Sequence, residues 1–144
     1  MSKFTNFTLN GRSLAVRYIE TQQVKAGVEC DSYVFNEDVT KDLAIVRVQA
    51  GYATPLQRVV QGTDTIEEFL EGKATLTVWP PEEDKLPQVF QFCSPKDIGR
   101  EENVQVGQKM QWKADNKIGL IFYEICTPPY KDGRFENLAD DGRE

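Results

Sequence analysis

The amino-acid sequence predicts an all-β protein built as one domain. Short segments rich in β-branched and aromatic residues recur along the chain, and glycine and proline turns separate them. Such a succession of short strands is typical of a sandwich or a barrel. The 144 residues suffice for one hydrophobic core. We therefore expect a single domain over residues 1–144, with its core at about 13–130 and an acidic tail at 139–144.

The N-terminal half predicts four strands. Residues 13–19 and 31–35 give the first two. Residues 43–49 are rich in β-branched side chains, and Gly51 ends that run. In residues 73–79 apolar and polar side chains alternate, which is the pattern of a half-buried strand.

The C-terminal half predicts two more strands. Pro80 and Pro81 end the preceding strand and open a solvated acidic loop. Residues 88–93 predict a short strand, and residues 94–103 predict a loop or one helical turn. Residues 118–126 are the most apolar stretch of the chain and predict the last strand.

The segment before residue 73 allows two interpretations. Asp64 followed by Glu67 resembles an N-cap with its capping-box glutamate, which predicts a short helix over residues 65–71. The alternative is a strand over residues 66–70 that turns at Gly72 into the next strand. The local sequence leaves both interpretations open.

Composition excludes several classes of function. The chain has no histidine, which removes Ser-His-Asp and Cys-His catalysis and histidine-bearing metal sites. Its net charge of −6 and its lack of a long apolar run argue against nucleic acid and membranes as partners. Cys30, Cys93 and Cys126 form no CxxC pair, which is typical of free thiols in a reducing compartment. No secretory signal is recognisable at the N-terminus, so we expect a cytoplasmic protein.

One motif points to a family. Gly51 is followed after five residues by Gln57 and, two residues on, by Val59, and a second glycine, Gly72, comes later. This arrangement resembles the first motif of the cupin superfamily, which has a His-x-His pair, a glutamate and a hairpin glycine at this spacing. Gln57 and Val59 stand at the histidine positions, and counting back from Gly72 puts Thr65 at the glutamate position.

A second motif supports the resemblance. Gln105, Gly107 and Met110 stand where cupins have a proline, a glycine and a third histidine. The resemblance covers roughly residues 40–130 and implies a jelly-roll β-barrel with a ligand pocket in its mouth. The usual metal is not expected, because an amide, an alkyl chain, a hydroxyl and a thioether do not form a divalent-metal site. We expect neither a metal nor another cofactor.

Glu124 and Tyr123 are the candidate catalytic residues. Glu124 interrupts the most apolar strand on the face of Leu120 and Phe122, where burial would raise its pKa and suit it to acid–base catalysis. The alternative is an ion pair with an arginine such as Arg47, or exposure at the strand end. Tyr123 is a second proton donor or a core tyrosine. Adjacent strand residues point to opposite faces, which counts against the two acting together.

Six further residues form the predicted ligand site. They are Arg47, Gln57, Arg58, Thr65, Met110 and Trp112. Arg47 would bind an anion if it faced the interior, and would be solvated if it faced outwards. Trp79 and Trp112 would stack on a ring of the ligand or pack in a core or subunit interface.

These observations support three hypotheses of function. The first is a metal-free protein that binds a small polar metabolite, a sugar or sugar-like acid, inside the barrel. The second is a metal-independent sugar isomerase, epimerase or lyase that uses Glu124 or Tyr123. The third is a structural or interaction protein whose barrel is filled by its own side chains. The resemblance also implies a homodimer, because such domains commonly associate through strands or sheet faces.

Overall fold

The structure, a computed structural model, describes residues 3–9, 11–60, 64–127 and 135–138. These residues form eleven β-strands and no helix, which confirms the predicted all-β class. The strands are β1 (Asn6–Leu9), β2 (Arg12–Lys25), β3 (Val28–Phe35), β4 (Asp38–Val48), β5 (Leu56–Val59), β6 (Asp64–Trp79), β7 (Gln88–Cys93), β8 (Glu101–Gln105), β9 (Lys109–Ala114), β10 (Leu120–Thr127) and β11 (Phe135–Leu138). The predicted acidic tail at 139–144 lies outside the described residues.

The strands form one continuous antiparallel sheet that β6 divides into two parts, here called the first sheet and the second sheet. The first sheet has the order β2-β3-β4-β10-β6-β8, and the second has the order β7-β6-β9-β5-β11. Strand β1 pairs with the start of β2. The hydrogen-bonded path through the described strands runs from β1 to β11 and does not return to its beginning. The sheet is therefore open, and the closed barrel implied by the sequence is corrected in this respect.

Strand β6 passes from the first sheet into the second at Gly72. This residue has a φ of +109°, and a Cβ there would lie 1.9 Å from the carbonyl oxygen of Gly119. Only glycine tolerates both the conformation and the contact. The register between β6 and β10 shifts between Ile121 and Phe122, next to this bend. The strand continues through Gly72, so the expected hairpin turn at this residue is wrong.

The helix predicted over residues 65–71 is also wrong. Thr65, Glu67 and Phe69 are buried and the residues between them are half-buried, which is the two-residue period of a strand. Pairing with β8 on one side and β10 on the other outweighs the local capping signal. The alternative strand over residues 66–70 is confirmed.

All six strands predicted with definite bounds are present, several of them longer than expected. The missed strands are β1, β5, β8, β9 and β11, which are four to six residues long and lack continuous apolar runs. The loop predicted over residues 94–103 ends too late, because β8 begins at Glu101.

Two hydrophobic cores lie on the two faces of the first sheet. The inner core lies on the face turned toward the second sheet, here called the inner face, and includes stacked or tilted rings of Phe69, Phe92, Trp112 and Phe122. The outer core lies on the opposite face, the outer face, where β1 and β2 pack on β3, β4 and β10. No helix in the described ranges is long and apolar enough to cross a membrane.

Candidate functional site

Two glutamates lie directly opposite each other on the inner face. Glu67 on β6 and Glu124 on β10 are register partners, and we call them the carboxyl pair. Glu67 is fully buried, whereas Glu124 is half-buried. The indole nitrogen of Trp112 donates a hydrogen bond of 2.7 Å to Oε1 of Glu67. The pair therefore lies at one side of the aromatic inner core.

The surroundings of Glu67 favour its neutral form. Its pKa is raised well above the ordinary value, first by burial and then by the charge of Glu124. The bond from Trp112 opposes this shift only in part. Oε2 of Glu67 is buried and has no hydrogen-bond partner in the described part of the chain.

Two thiols adjoin the carboxyl pair. Sγ of Cys126 lies 3.9 Å from Oε1 of Glu124 and donates toward it. Burial and the nearby charge of Glu124 raise the pKa of Cys30 to about 12. Cys30 is therefore a neutral thiol at physiological pH and not a nucleophile. Thr65, also fully buried, shares the inner face with Glu67.

Arg47 lies on the outer face and does not point into the interior. It donates hydrogen bonds of 2.9 Å to each carboxylate oxygen of Asp31 and one of 2.8 Å to Glu29. The nearly fully buried Asp31 also accepts bonds from Thr21 and Lys3. Arg47 lies on the outer face of the first sheet and Glu124 on its inner face. Glu124 is therefore not the ion-pair partner of Arg47 that the sequence allowed.

The outer face also carries a groove of about 480 Å³ between the N-terminal residues and β2. Lys3, Phe4, Arg17 and Tyr18 are among the side chains that line it. The groove lies on the opposite side of the first sheet from the carboxyl pair. A ligand in this groove would therefore be separated by the first sheet from Glu67 and Glu124.

Tyr123 is part of the outer core. Its ring meets that of Phe7 edge to face, with 4.7 Å between the centroids. Burial and the charge of Glu68 raise its pKa. The register between β10 and β6 is regular at Tyr123 and Glu124. The two candidate catalytic residues therefore point to opposite faces.

The other predicted ligand residues lie partly in the inner core and partly at the surface. Met110 and Trp112 pack in the inner core, together with Val59 at the first histidine pair of the cupin motif. The amide of Gln57 donates to Asn137 on β11, and Arg58 forms an exposed ion pair of 3.3 Å with Glu136. Trp79, which we expected to stack on a ligand or pack in a core, is half-buried.

Sequence reasoning missed Glu67 as a site residue. Its three-residue spacing from Asp64 matched a helix cap, and this interpretation placed Glu67 near a helix end. The signal that identifies it is the alternation Thr65, Glu67, Phe69 on one face of a strand.

Comparisons with known proteins bear on the fold. No protein-family model matches the sequence, and no curated protein does. The oxalate decarboxylase of Lactobacillus farciminis, in a formate complex, matches 83% of this chain with a TM-score of 0.66 and 19% identity. A cupin-like protein from Thermotoga maritima matches 78% of this chain and 76% of its own, with a TM-score of 0.58 and 18% identity. The chain has a cupin fold.

The likeness to these proteins concerns the fold. CapF in complex with 3-isopropenyl-tropolone matches with a TM-score of 0.66 and 8% identity, over 85% of this chain. The chain spans about a third of the length of the decarboxylase and CapF chains, 33% and 34% respectively.

The donor set at the cupin metal positions does not fit a metal ion. Val59 and Met110 are buried core residues, Thr65 offers a hydroxyl, and the Gln57 amide is bonded to Asn137. Hard divalent cations prefer several carboxylate or carbonyl oxygens, and zinc prefers thiolates and imidazoles. In the described ranges no group of three or more cysteine, aspartate and glutamate side chains is placed to hold a metal.

Proposed function

We propose that this cupin binds a small polar metabolite, a sugar or a closely related molecule, on its inner face beside Glu124, without a metal. Structures of two similar proteins are complexes with small molecules, formate and 3-isopropenyl-tropolone. This supports the proposal that the same fold holds a small ligand here.

The carboxyl pair is the observation that carries the proposal. Burying a carboxyl group in an apolar core is costly, and a like charge opposite adds to the cost. Apolar side chains would fill the same space with less loss of stability. Perturbed acidic groups of this kind cluster at functional sites. Glu124, the less buried member of the pair, is the one that a ligand can reach.

A thermal-shift screen tests the proposal. The untagged protein is heated with neutral sugars, sugar acids and sugar phosphates, each with EDTA or with added manganese, nickel or zinc. A ligand at 100 times its dissociation constant adds about 2.7 kcal/mol to the free energy of unfolding, which raises the melting temperature by several degrees. We expect a shift that EDTA does not reduce.

Matched variants locate the bound ligand. Glu124→Gln should abolish the shift, whereas Glu71→Gln, an exposed change on β6, should keep it. A shift that needs added metal would overturn the metal-free proposal. A shift that survives Glu124→Gln but disappears in Arg17→Ala would assign the ligand to the outer groove. No shift with any compound would favour the filled-interior protein.

An enzyme is the second candidate, and the same carboxyl pair favours it. A neutral carboxylic acid next to a second carboxyl group offers a proton donor and a proton acceptor within one site. A metal-independent isomerase, epimerase or lyase needs such a pair. Loss of turnover with binding retained in Glu124→Gln would support this candidate, and binding without turnover of any bound sugar would leave the binding protein.

We also propose that the protein forms a homodimer. In the described part of the chain, β2 pairs with β1 only through residues 12–15, so most of that edge is available for another strand. Light scattering at high protein concentration should give twice the mass of 16.4 kDa. A monomer mass would overturn the proposal.

A further inference from the structure

The hydrogen-bonding pattern around Glu67 is incomplete if both glutamates are ionised. Oε1 accepts the indole N–H of Trp112, while Oε2 is buried without a partner in the described residues. An ionised carboxylate only accepts hydrogen bonds, and so does the carboxylate that lies opposite on Glu124. Two acceptors cannot satisfy each other, and a buried polar atom without a partner is strongly unfavourable.

A single proton shared by the two carboxyl groups would give the unpaired oxygen of Glu67 a hydrogen-bond partner. A proton on Glu67 turns its second oxygen into a donor, and Glu124 then accepts the hydrogen bond. A bond of this type between an acid and a carboxylate is short and strong. The raised pKa of Glu67 agrees with this arrangement, because burial and Glu124 both favour the protonated form.

Among the residues that the structure describes, no positively charged group acts on Glu67. Glu102 lies opposite Glu67 on β8 and is itself engaged by Arg100, with 3.5 Å from Nε to Oε2. Arg100 also binds Asp97, and its guanidinium lies 4.3 Å from the centroid of the Phe92 ring. Cys30 and Cys126 on the neighbouring strands are thiols near Glu124. Glu68 points to the outer face.

We propose that Glu67 and Glu124 share one proton and that the pair selects uncharged, hydroxyl-rich ligands over carboxylates and phosphates. The selectivity rests on the proposed function, whereas the shared proton does not. A sugar hydroxyl donates to the Glu124 carboxylate without carrying a second negative charge into the inner core. A ligand anion would face a carboxylate in a site of low polarity, where two like charges repel strongly.

The shared proton is tested without any ligand. Glutamate side chains are labelled with ¹³C, and their carboxyl resonances are followed from pH 3 to pH 9. Glu67→Gln and Glu124→Gln assign the two signals. We expect the Glu67 carboxyl to stay protonated at neutral pH in the wild type, and to titrate at lower pH in Glu124→Gln. A Glu67 signal that titrates with the exposed glutamates, such as Glu71, would overturn the shared proton.

Ligand selection is tested by calorimetry on matched compounds. A panel of neutral sugars and polyols is compared with the aldonic acid and the sugar phosphate of each. We expect the neutral member of each set to bind at least tenfold more tightly than the acid or the phosphate. Binding should weaken at a pH where the pair loses its shared proton, and Glu67→Gln should remove this pH dependence. Glu71→Gln should change neither result.

The possible failures are distinguishable. Tighter binding of the acids or phosphates would overturn the selectivity and leave the proposed function standing. Binding of no compound in the panel would overturn both the proposed function and the selectivity, while the carboxyl titration would still decide whether the proton is shared.

Discussion

Two buried carboxyl groups on opposite faces of the first sheet have opposite electrostatics. Asp31 on the outer face is 3% exposed, and Glu67 on the inner face is 0% exposed. Hydrogen bonds from Arg47, Thr21 and Lys3 hold the pKa of Asp31 well below its usual range. Burial and Glu124 raise the pKa of Glu67. Both side chains are almost closed to solvent, but burial acts most strongly on Glu67 and the partners act most strongly on Asp31.

The comparison teaches that burial favours the neutral form of a carboxyl group in this protein unless cationic and hydroxyl partners overcome that cost. Asp31 accepts hydrogen bonds from both terminal nitrogens of the Arg47 guanidinium and remains ionised. Its negative charge is therefore compensated, and it also binds Lys3 near the N-terminus. Glu67 receives one indole N–H and faces a second acid, so it keeps its proton. Chemistry that needs a movable proton is therefore expected on the inner face.

The largest expected effect comes from removing the partner of Asp31. Arg47→Ala leaves an ionised carboxylate in a nearly fully buried position. We expect a loss of about 3 kcal/mol in the free energy of unfolding at pH 7, measured by urea denaturation. Arg58→Ala breaks the exposed pair with Glu136 and should cost at most about 1 kcal/mol.

The double variant sharpens this prediction. Asp31→Asn combined with Arg47→Ala removes the uncompensated charge and should recover part of the lost stability. Equal losses for Arg47→Ala and Arg58→Ala would contradict the contrast between a buried and an exposed ion pair. Such a result would also mean that Arg47 does not compensate the buried charge of Asp31, on which the comparison with Glu67 depends.

Glu67→Gln tests how the buried carboxyl group on the inner face changes the pH dependence of the free energy of unfolding. Since the pKa of Glu67 is higher in the folded state, its favourable contribution is fully present below the unfolded value of about 4.3. The contribution is lost as pH rises toward the folded pKa. Asp31 behaves in the opposite way, because its lowered pKa stabilises the fold above about 3.9 and this stability is lost in acid.

We therefore expect Glu67→Gln to be more stable than the wild type at pH 8 and to lose that advantage at pH 4. Urea denaturation at intervals of one pH unit measures the difference. A difference that stays constant across this range would mean that Glu67 ionises normally in the folded state.

The sequence allows one part of this comparison to be predicted. The inner-face position of Glu124 follows from alternation with Leu120 and Phe122, because side chains in a strand repeat every two residues. The partner of Glu124 does not follow, because it depends on the register between β6 and β10 and on the bend at Gly72. Strand bounds were most predictable where prolines flank the segment, as at residues 88–93.

The ion pair of Arg47 shows the same limit. Arg47 and Asp31 are sixteen residues apart and meet only because β3 and β4 pair in a particular register. Local sequence predicts that an arginine in an apolar strand needs a partner, but it does not identify which carboxylate provides it. Alternation assigns faces along one strand, whereas contacts between strands require the assembled sheet.

Glu68→Gln is expected to have a smaller effect. Burial and the charge of Glu101, its register partner on β8, raise the pKa of Glu68 to about 7. The raised pKa means that stability declines between about pH 4.5 and pH 7. Because Glu68 is partly exposed, we discount the gain for Glu68→Gln at pH 8 to about 1 kcal/mol.

Glu101→Gln provides the matched control for Glu68. It removes the same repulsion and should give a gain of the same sign, whereas Glu71→Gln should give none. The effect of Glu68→Gln should level off near pH 7, the folded-state pKa of Glu68. A Glu68→Gln variant less stable than the wild type at pH 8 would show that the pair is held together by interactions stronger than its repulsion.

Lys3→Ala should have a smaller effect on stability than Arg47→Ala, Glu67→Gln or Glu68→Gln. The Lys3 ammonium lies 3.0 Å from Oδ2 of Asp31 and 5.0 Å from the centroid of the Tyr18 ring, yet Asp31 keeps both bonds from Arg47 when Lys3 is removed. We expect a small drop in the urea midpoint that disappears in 1 M NaCl, because salt screens exposed charges at that concentration. The loss caused by Arg47→Ala should persist in the same salt, because it leaves the carboxylate of Asp31, whose side chain is only 4% exposed, without its two bonds from the guanidinium. A Lys3→Ala loss as large as that of Arg47→Ala would mean that the N-terminal residues, rather than the guanidinium, keep Asp31 ionised.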